Sequence, residues 1–213
     1  MGDALLLPGA YLVGSIPSGY LLVRAFRGLD VRKHGSHNVG AINVFRVGGV
    51  KLGVLTLLAD IGKAMLVVLV AGALTDQPWI IAGTALAVLV GHAYSMWFLL
   101  KERRFSEGKS VASTLGALIG LVVIGELPWP VVVIPLGVWG AGLLLPRLLT
   151  GRWWWISPAT MAAAASVPAI TLLLRPAAPY QILAVLMCAL ILVRHKNNIR
   201  RLIAGTEPKL GRA

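Results

Sequence analysis

Long apolar runs alternate with short polar segments along the whole chain of 213 residues. Runs of spanning quality lie at about 4–24, 50–72, 80–100, 111–126, 131–149, 157–174 and 178–194. A helix needs about 20 mostly apolar residues to cross a bilayer, where every backbone polar group must find its partner inside the segment. The pattern predicts an all-α, polytopic integral membrane protein of about seven transmembrane helices, organised as a single transmembrane domain over residues 1–213. The fourth run is the shortest. The break Glu126-Leu-Pro-Trp-Pro130 separates it from the fifth, because the two together are too long for one crossing.

Charge gives the runs a direction. Of the 20 lysines and arginines, all but Lys63 and Arg175 fall in segments 24–51, 101–109, 147–152 and 194–212. Short loops rich in Lys and Arg stay in the cytoplasm. These segments follow spans one, three, five and seven, so the N-terminus is expected outside and the C-terminus in the cytoplasm. Trp79, Trp97, Trp129 and the run Trp153-Trp154-Trp155 fall near predicted interfaces, where an amphipathic ring is favoured; Trp139, mid-span, reads as packing. The first span begins with Asp3 and has no small-residue cleavage site, so it reads as a retained helix instead of a signal. The Met-Gly start lacks Ser or Thr at position 6, so myristoylation is not indicated.

Composition agrees with a membrane protein: 57% hydrophobic and 13% charged residues, against roughly 25% charged in a soluble domain. Mean hydropathy is +0.80. The net charge of +12 flanks apolar spans and is not clustered on a soluble module, so nucleic acid is excluded as a partner. Anionic headgroups or anionic substrates fit better. The single cysteine, Cys188, lies in an apolar run, and the four histidines (His34, His37, His92, His195) show no metal-ligand spacing. Neither a metal nor another cofactor is expected.

Three cytoplasmic segments carry candidate chemistry. In Arg32-Lys-His-Gly-Ser-His-Asn-Val-Gly-Ala-Ile-Asn-Val-Phe-Arg46, Gly35 and Gly40 let the backbone approach a ligand. Ser36, Asn38 and Asn43 add neutral hydrogen-bonding groups, and Arg32, Lys33 and Arg46 add positive charge. Amides beside fixed cations suit a phosphate, although a loop that merely enforces topology would look similar. The second segment contains Gly108-Lys109-Ser110, the end of a P-loop without its first glycine or its strand, so a Walker nucleotide site is rejected. What remains is a turn opening the fourth span with a lysine at its helix N-terminus, a place for an anion. The third segment, from Arg194 onward, reads in part as a basic amphipathic tail on anionic lipid. That reading leaves His195 and Asn198, three apart at the mouth of the last span, unexplained. Deeper in the bilayer, Asp60 and Lys63 are one turn apart and can neutralise each other. His92 reads as a packing residue.

Together these segments resemble the bacterial acyl-phosphate:glycerol-3-phosphate acyltransferases, the PlsY family. The resemblance rests on Gly14-Ser-Ile-Pro-Ser-Gly-Tyr20, on Gly35-Ser-His-Asn-Val-Gly-Ala-Ile-Asn43 with Arg46, and on Asp60-Ile-Gly-Lys63. It returns at His195-Lys-Asn-Asn-Ile-Arg-Arg-Leu202 with Gly205 and Glu207. In the middle the family has Phe-Lys-Gly-Gly-Lys-Gly-Val-Ala-Thr, where this chain reads Phe105-Ser-Glu-Gly-Lys-Ser-Val-Ala-Ser113. One positive charge is lost there and one negative gained, with Arg103 and Arg104 placed to compensate.

The resemblance implies a seven-span acyltransferase of the bacterial cytoplasmic (inner) membrane, its active site facing the cytoplasm. It would move a fatty acyl group from acyl phosphate to the 1-hydroxyl of glycerol 3-phosphate, releasing lysophosphatidic acid and phosphate. Ser36, His195 and Asn198 would be catalytic, orienting the nucleophile and the reacting carbonyl. Arg46, Arg104, Gly108, Lys109 and Ser110 would hold phosphate. Gly35, Asn38, Gly40, Asn43, Asp60, Lys63 and Glu207 would support them. The proton acceptor is either His195 or a phosphate oxygen of glycerol 3-phosphate. Membrane lipids, and a soluble enzyme that supplies acyl phosphate, are the partners the resemblance suggests. Two other readings use the same residues: a small-anion or lipid-headgroup transporter, and a degenerate paralogue of the acyltransferase. The outer connections offer only Asp76, Glu126 and Arg175 to a transporter, and no internal repeat is visible.

Overall fold

The computed structural model describes residues 2–103, 108–151 and 155–207, and these are helical with short connections. They divide into two compact units, Met1–Gly125 and Glu126–Ala213.

The first unit begins with a broken span, α1 (Leu6–Gly14) and α2 (Ser18–Arg27), interrupted at Pro17, which has no amide hydrogen to continue the ladder. A loop leads to α3 (Ala41–Gly48) and then to α4 (Val50–Leu74), the longest helix of the unit. A second broken span follows, α5 (Pro78–Ala93) and α6 (Met96–Glu102), and α7 (Val111–Val123) closes the unit. The closest packing is of α4 on α7, α1 on α5 and α3 on α4.

Lipid tails are as apolar as leucine, so small residues that admit close backbones hold such helices together. A methyl group on Gly14 would overlap the Val88 carbonyl, and one on Gly91 would overlap the Tyr11 carbonyl, so α1 and α5 meet backbone to backbone at both positions. Gly116 of α7 meets the Ile61 carbonyl of α4 in the same way.

The two breaks face each other. Ser95 Oγ donates to the Ser15 carbonyl at 2.5 Å, the Met96 amide to Ser15 Oγ at 3.2 Å, and Tyr11 Oη to the Tyr94 carbonyl at 2.7 Å. Backbone groups freed by one interruption are thus bonded by the other, as irregular backbone at membrane depth requires.

The second unit packs α8 (Pro130–Thr150) on α9 (Ile156–Leu174), and α9 on α10 (Ala178–Arg194). Trp139, expected to be packing, donates from Nε1 to Thr160 Oγ1 across the α8–α9 contact at 3.2 Å. At His195 the chain bends by 56° into α11 (Lys196–Ile203).

Among the described residues five segments are long and apolar enough to span: Leu6–Arg27, Val50–Leu74, Pro78–Glu102, Pro130–Thr150 and Ile156–Leu174. The bent pair Ala178–Arg194 with Lys196–Ile203 makes a sixth. The remaining apolar helix, α7, has 13 residues, about 20 Å at 1.5 Å per residue, which is short of a hydrocarbon layer of about 30 Å. Five of the seven expected runs are single helices within a few residues of their predicted limits, and the first and third are each two helices with an interruption. The fourth run is the one whose length departs from a full crossing.

Candidate active site

Asn43 organises the loop between α2 and α3. It is 1% exposed on the inner face of α3, and its carboxamide reaches back over the loop that precedes the helix. Its Nδ2 group donates to the carbonyls of Val31, His34 and Asn38 at 3.0, 3.1 and 2.8 Å. Its Oδ1 accepts the Ser36 amide at 2.7 Å. Asn38, also buried, accepts the Gly40 amide on Oδ1 at 2.7 Å. Gly35 has φ of +60° and lies so close to Asn43 Oδ1 that a side chain would collide with it. The loop is therefore held by its own hydrogen bonds, with Ser36 exposed on it and Arg46 exposed on α3.

Arg32 has a different place from the expected one. Its guanidinium is paired with Asp30 and Glu102, each at 2.7 Å, and lies over the rings of Tyr20 and Phe98 at 4.9 and 4.3 Å. The hydrogen bond from Arg32 holds the Asp30 carboxyl below the usual carboxylate range. A guanidinium with a partner on each edge and a ring on its face clamps the loop to α6 and is not offered to a phosphate.

In the middle segment the Gly108-Lys109-Ser110 turn opens α7, as expected. Gly108 is packed against the His92 carbonyl and the Cδ2 edge of its ring, where no side chain would fit. Ser110 Oγ is buried and donates to the Leu89 carbonyl at 2.8 Å, so it anchors the turn to α5. One turn into α7, the hydroxyls of Ser113 and Thr114 are buried without a hydrogen-bond partner among the described residues. Arg104, expected to hold phosphate, and Ser106 and Glu107, the departures from the family pattern, lie outside the described residues.

Below this turn, Lys63 and Asp60 share a face of α4 with a 2.8 Å ion pair. Lys63 Nζ also donates to the Ile16 carbonyl at the break of the first span, at 2.9 Å, and lies 3.0 Å from His92 Nδ1. His92 thus belongs to a polar cluster, which the sequence did not indicate.

The second unit holds the remaining candidates. His195, 2% exposed at the α10–α11 bend, has Nδ1 2.8 Å from the Ile191 carbonyl. A carbonyl can only accept, so Nδ1 carries a proton and is committed to that carbonyl. Asn198 Nδ2 donates to Ser157 Oγ at 2.8 Å and to Glu207 Oε1 at 2.6 Å. Glu207 also takes the Ser157 hydroxyl and Arg201 Nε, and its carbonyl accepts Trp155 Nε1. Burial pushes the Glu207 carboxyl up, but the hydrogen bonds from Ser157, Asn198 and Arg201 outweigh it and leave the group below its ordinary value. Gly205, at φ of +68°, turns the chain after α11 so that Glu207 returns to this network. Asn198 and Glu207 therefore brace the segment that carries His195, and Ser157 is a member that the sequence did not indicate.

The site residues fall into two groups, one per unit: Ser36, Arg46 and Lys109 in the first, His195, Asn198 and Glu207 in the second. Among the described residues no three His, Cys, Asp or Glu side chains are placed to hold a metal ion.

Comparison with known proteins bears on what these groups do. The family model for glycerol-3-phosphate acyltransferase matches residues 4–205. A glycerol-3-phosphate acyltransferase of Trichlorobacter lovleyi is 41% identical over 204 residues, covering 95% of each chain. One from a Synechococcus species is 36% identical over 203 residues, covering 95% of this chain and 91% of the relative. Among solved structures, PlsY, an integral membrane glycerol 3-phosphate acyltransferase, in its glycerol 3-phosphate form superposes with a TM-score of 0.85 at 31% identity. The match covers 99% of this chain and 96% of that one. The lysophosphatidic acid form of PlsY gives a TM-score of 0.82 at 30% identity with the same coverage.

Proposed function

The chain belongs to the glycerol-3-phosphate acyltransferase family, and from that premise we propose how its residues divide the labour of the reaction. It is a multi-pass membrane acyltransferase that acylates glycerol 3-phosphate to lysophosphatidic acid. The donor in this reading is acyl phosphate. The 1-hydroxyl oxygen of glycerol 3-phosphate attacks the acyl carbonyl carbon, the carbonyl carbon–oxygen bond to phosphate breaks, and inorganic phosphate leaves. The donor is already activated, so neither a metal nor a covalent enzyme intermediate is needed.

The first loop takes a phosphate. The observation that carries this is the Asn43-built loop, which presents Ser36 and the cation of Arg46 on a backbone fixed in advance. Donors held in place beforehand and aimed at developing charge usually stabilise an acyl-transfer transition state more than any other single effect. Lys109 and the Gly108-Lys109-Ser110 turn take the phosphate of glycerol 3-phosphate. His195, whose Nδ1 is committed to the Ile191 carbonyl, accepts the proton of the attacking hydroxyl at Nε2; a phosphate oxygen of the substrate is the alternative acceptor. Asn198 and Glu207 act by holding His195 and its helix in place.

In this reading α7 counts as the fourth of seven crossings, with the N-terminus outside and the basic loops in the cytoplasm. The whole chain acts as one catalytic domain of the bacterial inner membrane, facing a soluble supplier of acyl phosphate. The test is an assay of the purified protein with palmitoyl phosphate and glycerol 3-phosphate, following phosphate release and lysophosphatidic acid together. Palmitoyl coenzyme A should not replace the donor. Ser36→Ala, Arg46→Ala and His195→Ala should each lower turnover more than about tenfold, over roughly 1.4 kcal/mol of transition-state stabilisation. Wild-type rates with acyl coenzyme A, or indifference to all three substitutions, would overturn the reading.

A further inference from the structure

A lysine and an aspartate buried in a membrane span cost free energy unless each is paired, and such residues mark function more often than packing. Lys63 meets this condition in an unusual way. Its side chain is 9% exposed, and its ammonium group carries three donors and no acceptor. Two of its N–H bonds go to the Ile16 carbonyl and to His92 Nδ1, and the Asp60 carboxylate lies 2.8 Å away. An ammonium group cannot accept, so in this contact His92 Nδ1 is the acceptor. Asp60 Oδ1 lies 3.6 Å from the same ring nitrogen. His92 is therefore held in one orientation by two side chains of α4.

The other edge of that ring, with Cδ2, is the surface on which Gly108 rests, beneath the His92 carbonyl. Ser110 is tied to the Leu89 carbonyl one turn earlier on α5. The turn that opens α7 is thus seated on α5 at two points, and the orientation of one of them is set from α4. We propose that His92, fixed by Lys63 and Asp60, is a positioning residue for the Gly108-Lys109-Ser110 turn, and so for the substrate phosphate which that turn takes. The inference rests on the phosphate-binding reading of the turn and adds the residues that aim it.

Steady-state kinetics of the purified full-length enzyme, with each substrate varied in turn, test it. His92→Leu keeps apolar bulk and removes the acceptor. Its KM for glycerol 3-phosphate should rise about tenfold, while the KM for acyl phosphate stays within about twofold. His92→Asn places an amide oxygen near the Nδ1 position and should bring the glycerol-3-phosphate KM back to within about threefold of the parent. Gly108→Ala disturbs the same contact from the other side, so its effect combined with His92→Leu should fall well short of the product of the two. If His92→Leu does not accumulate as folded protein, Asp60→Asn with Lys63→Met, which preserves net charge, should show the same selective rise.

Lys109→Ala separates the positioning role from the phosphate site itself. A raised glycerol-3-phosphate KM in Lys109→Ala with an unchanged one in His92→Leu sinks the positioning role alone. No change in either sinks the phosphate-binding turn as well. Failure of His92→Asn to rescue, or fully multiplicative effects with Gly108→Ala, would reduce His92 to packing.

Discussion

Replacing Asn43 should disable the enzyme without touching any group that meets substrate. The carboxamide makes four hydrogen bonds to the 31–38 loop, at 2.7 to 3.1 Å, from a site only 1% exposed. A net contribution of about 1 kcal/mol per bond would give roughly 4 kcal/mol in all. Two N–H groups serve three carbonyls, however, so at least two of those bonds share a donor, and about 2–3 kcal/mol is the sounder figure. If that energy keeps the loop in its working shape, losing it lowers kcat/KM by about 30- to 150-fold, at 1.4 kcal/mol per factor of ten. Asn43→Ala should show this loss. Asn43→Asp should be at least as severe, because a buried carboxylate keeps the Ser36 amide but faces three carbonyl oxygens that it cannot serve. The assay is phosphate release at subsaturating substrate, with thermal unfolding in detergent measured in parallel. An Asn43→Ala enzyme within about threefold of the parent, beside a Ser36→Ala enzyme that loses the expected tenfold, would refute the reasoning. An aspartate variant clearly better than alanine would show that only the Ser36 amide contact matters.

Other outcomes follow from the same geometry. Arg32→Ala should lower the unfolding temperature and leave substrate KM values nearly unchanged, whereas Arg46→Ala should do the reverse; matching behaviour of the two would undo the distinction between clamp and ligand. Glu207 is held below its ordinary value, so its stabilisation is complete above the normal carboxylate range and is withdrawn as pH falls through the lowered one. The low-pH limb of an acid-unfolding profile should therefore shrink in Glu207→Gln, with Asp30 still contributing to it, and an unchanged profile would count against the network. Cysteines placed at Thr75 or Ala178 should react with impermeant reagents on intact cells, and a cysteine at Ala213 should not; labelling at 213 from outside would reverse the orientation.

The helices were legible because hydrophobic burial in a bilayer is written residue by residue. The run at 157–174 is the helix Ile156–Leu174, and 178–194 is Ala178–Arg194. The interruption at Tyr94-Ser95 was not legible. No proline marks it, and the backbone it frees is bonded by Tyr11 and Ser15, some 80 positions earlier: Tyr11 Oη donates to the Tyr94 carbonyl and Ser15 Oγ accepts the Met96 amide. The candidate site shows the same division. Ser36, Arg46 and Lys109 stand out by residue type and glycine spacing. Arg32 looks like a phosphate ligand in the same string, and only its distance to Glu102, 70 residues on, shows where its charge is used. His92 and Ser157 carried no local signal, because each takes its role from partners on other helices.

The facing breaks of the first and third spans have a consequence for how such a chain can change length. Ser15 with Ser95, Tyr11 with Tyr94, Gly14 with Val88 and Gly91 with Tyr11 fix one sliding position between α1 and α5. A single inserted residue between Tyr11 and Gly14 would rotate one end of the joint against the other by about 100° and shift it about 1.5 Å, so the contacts of Tyr11 and those of Gly14 and Ser15 could not be made together. Insertions in either span should be tolerated only when the other compensates, whereas the same insertion at Thr75, beyond the end of α4, should cost little. The two interruptions act as a keyed joint: they set which residues of each span share a depth, and with it the height at which the loops above them stand.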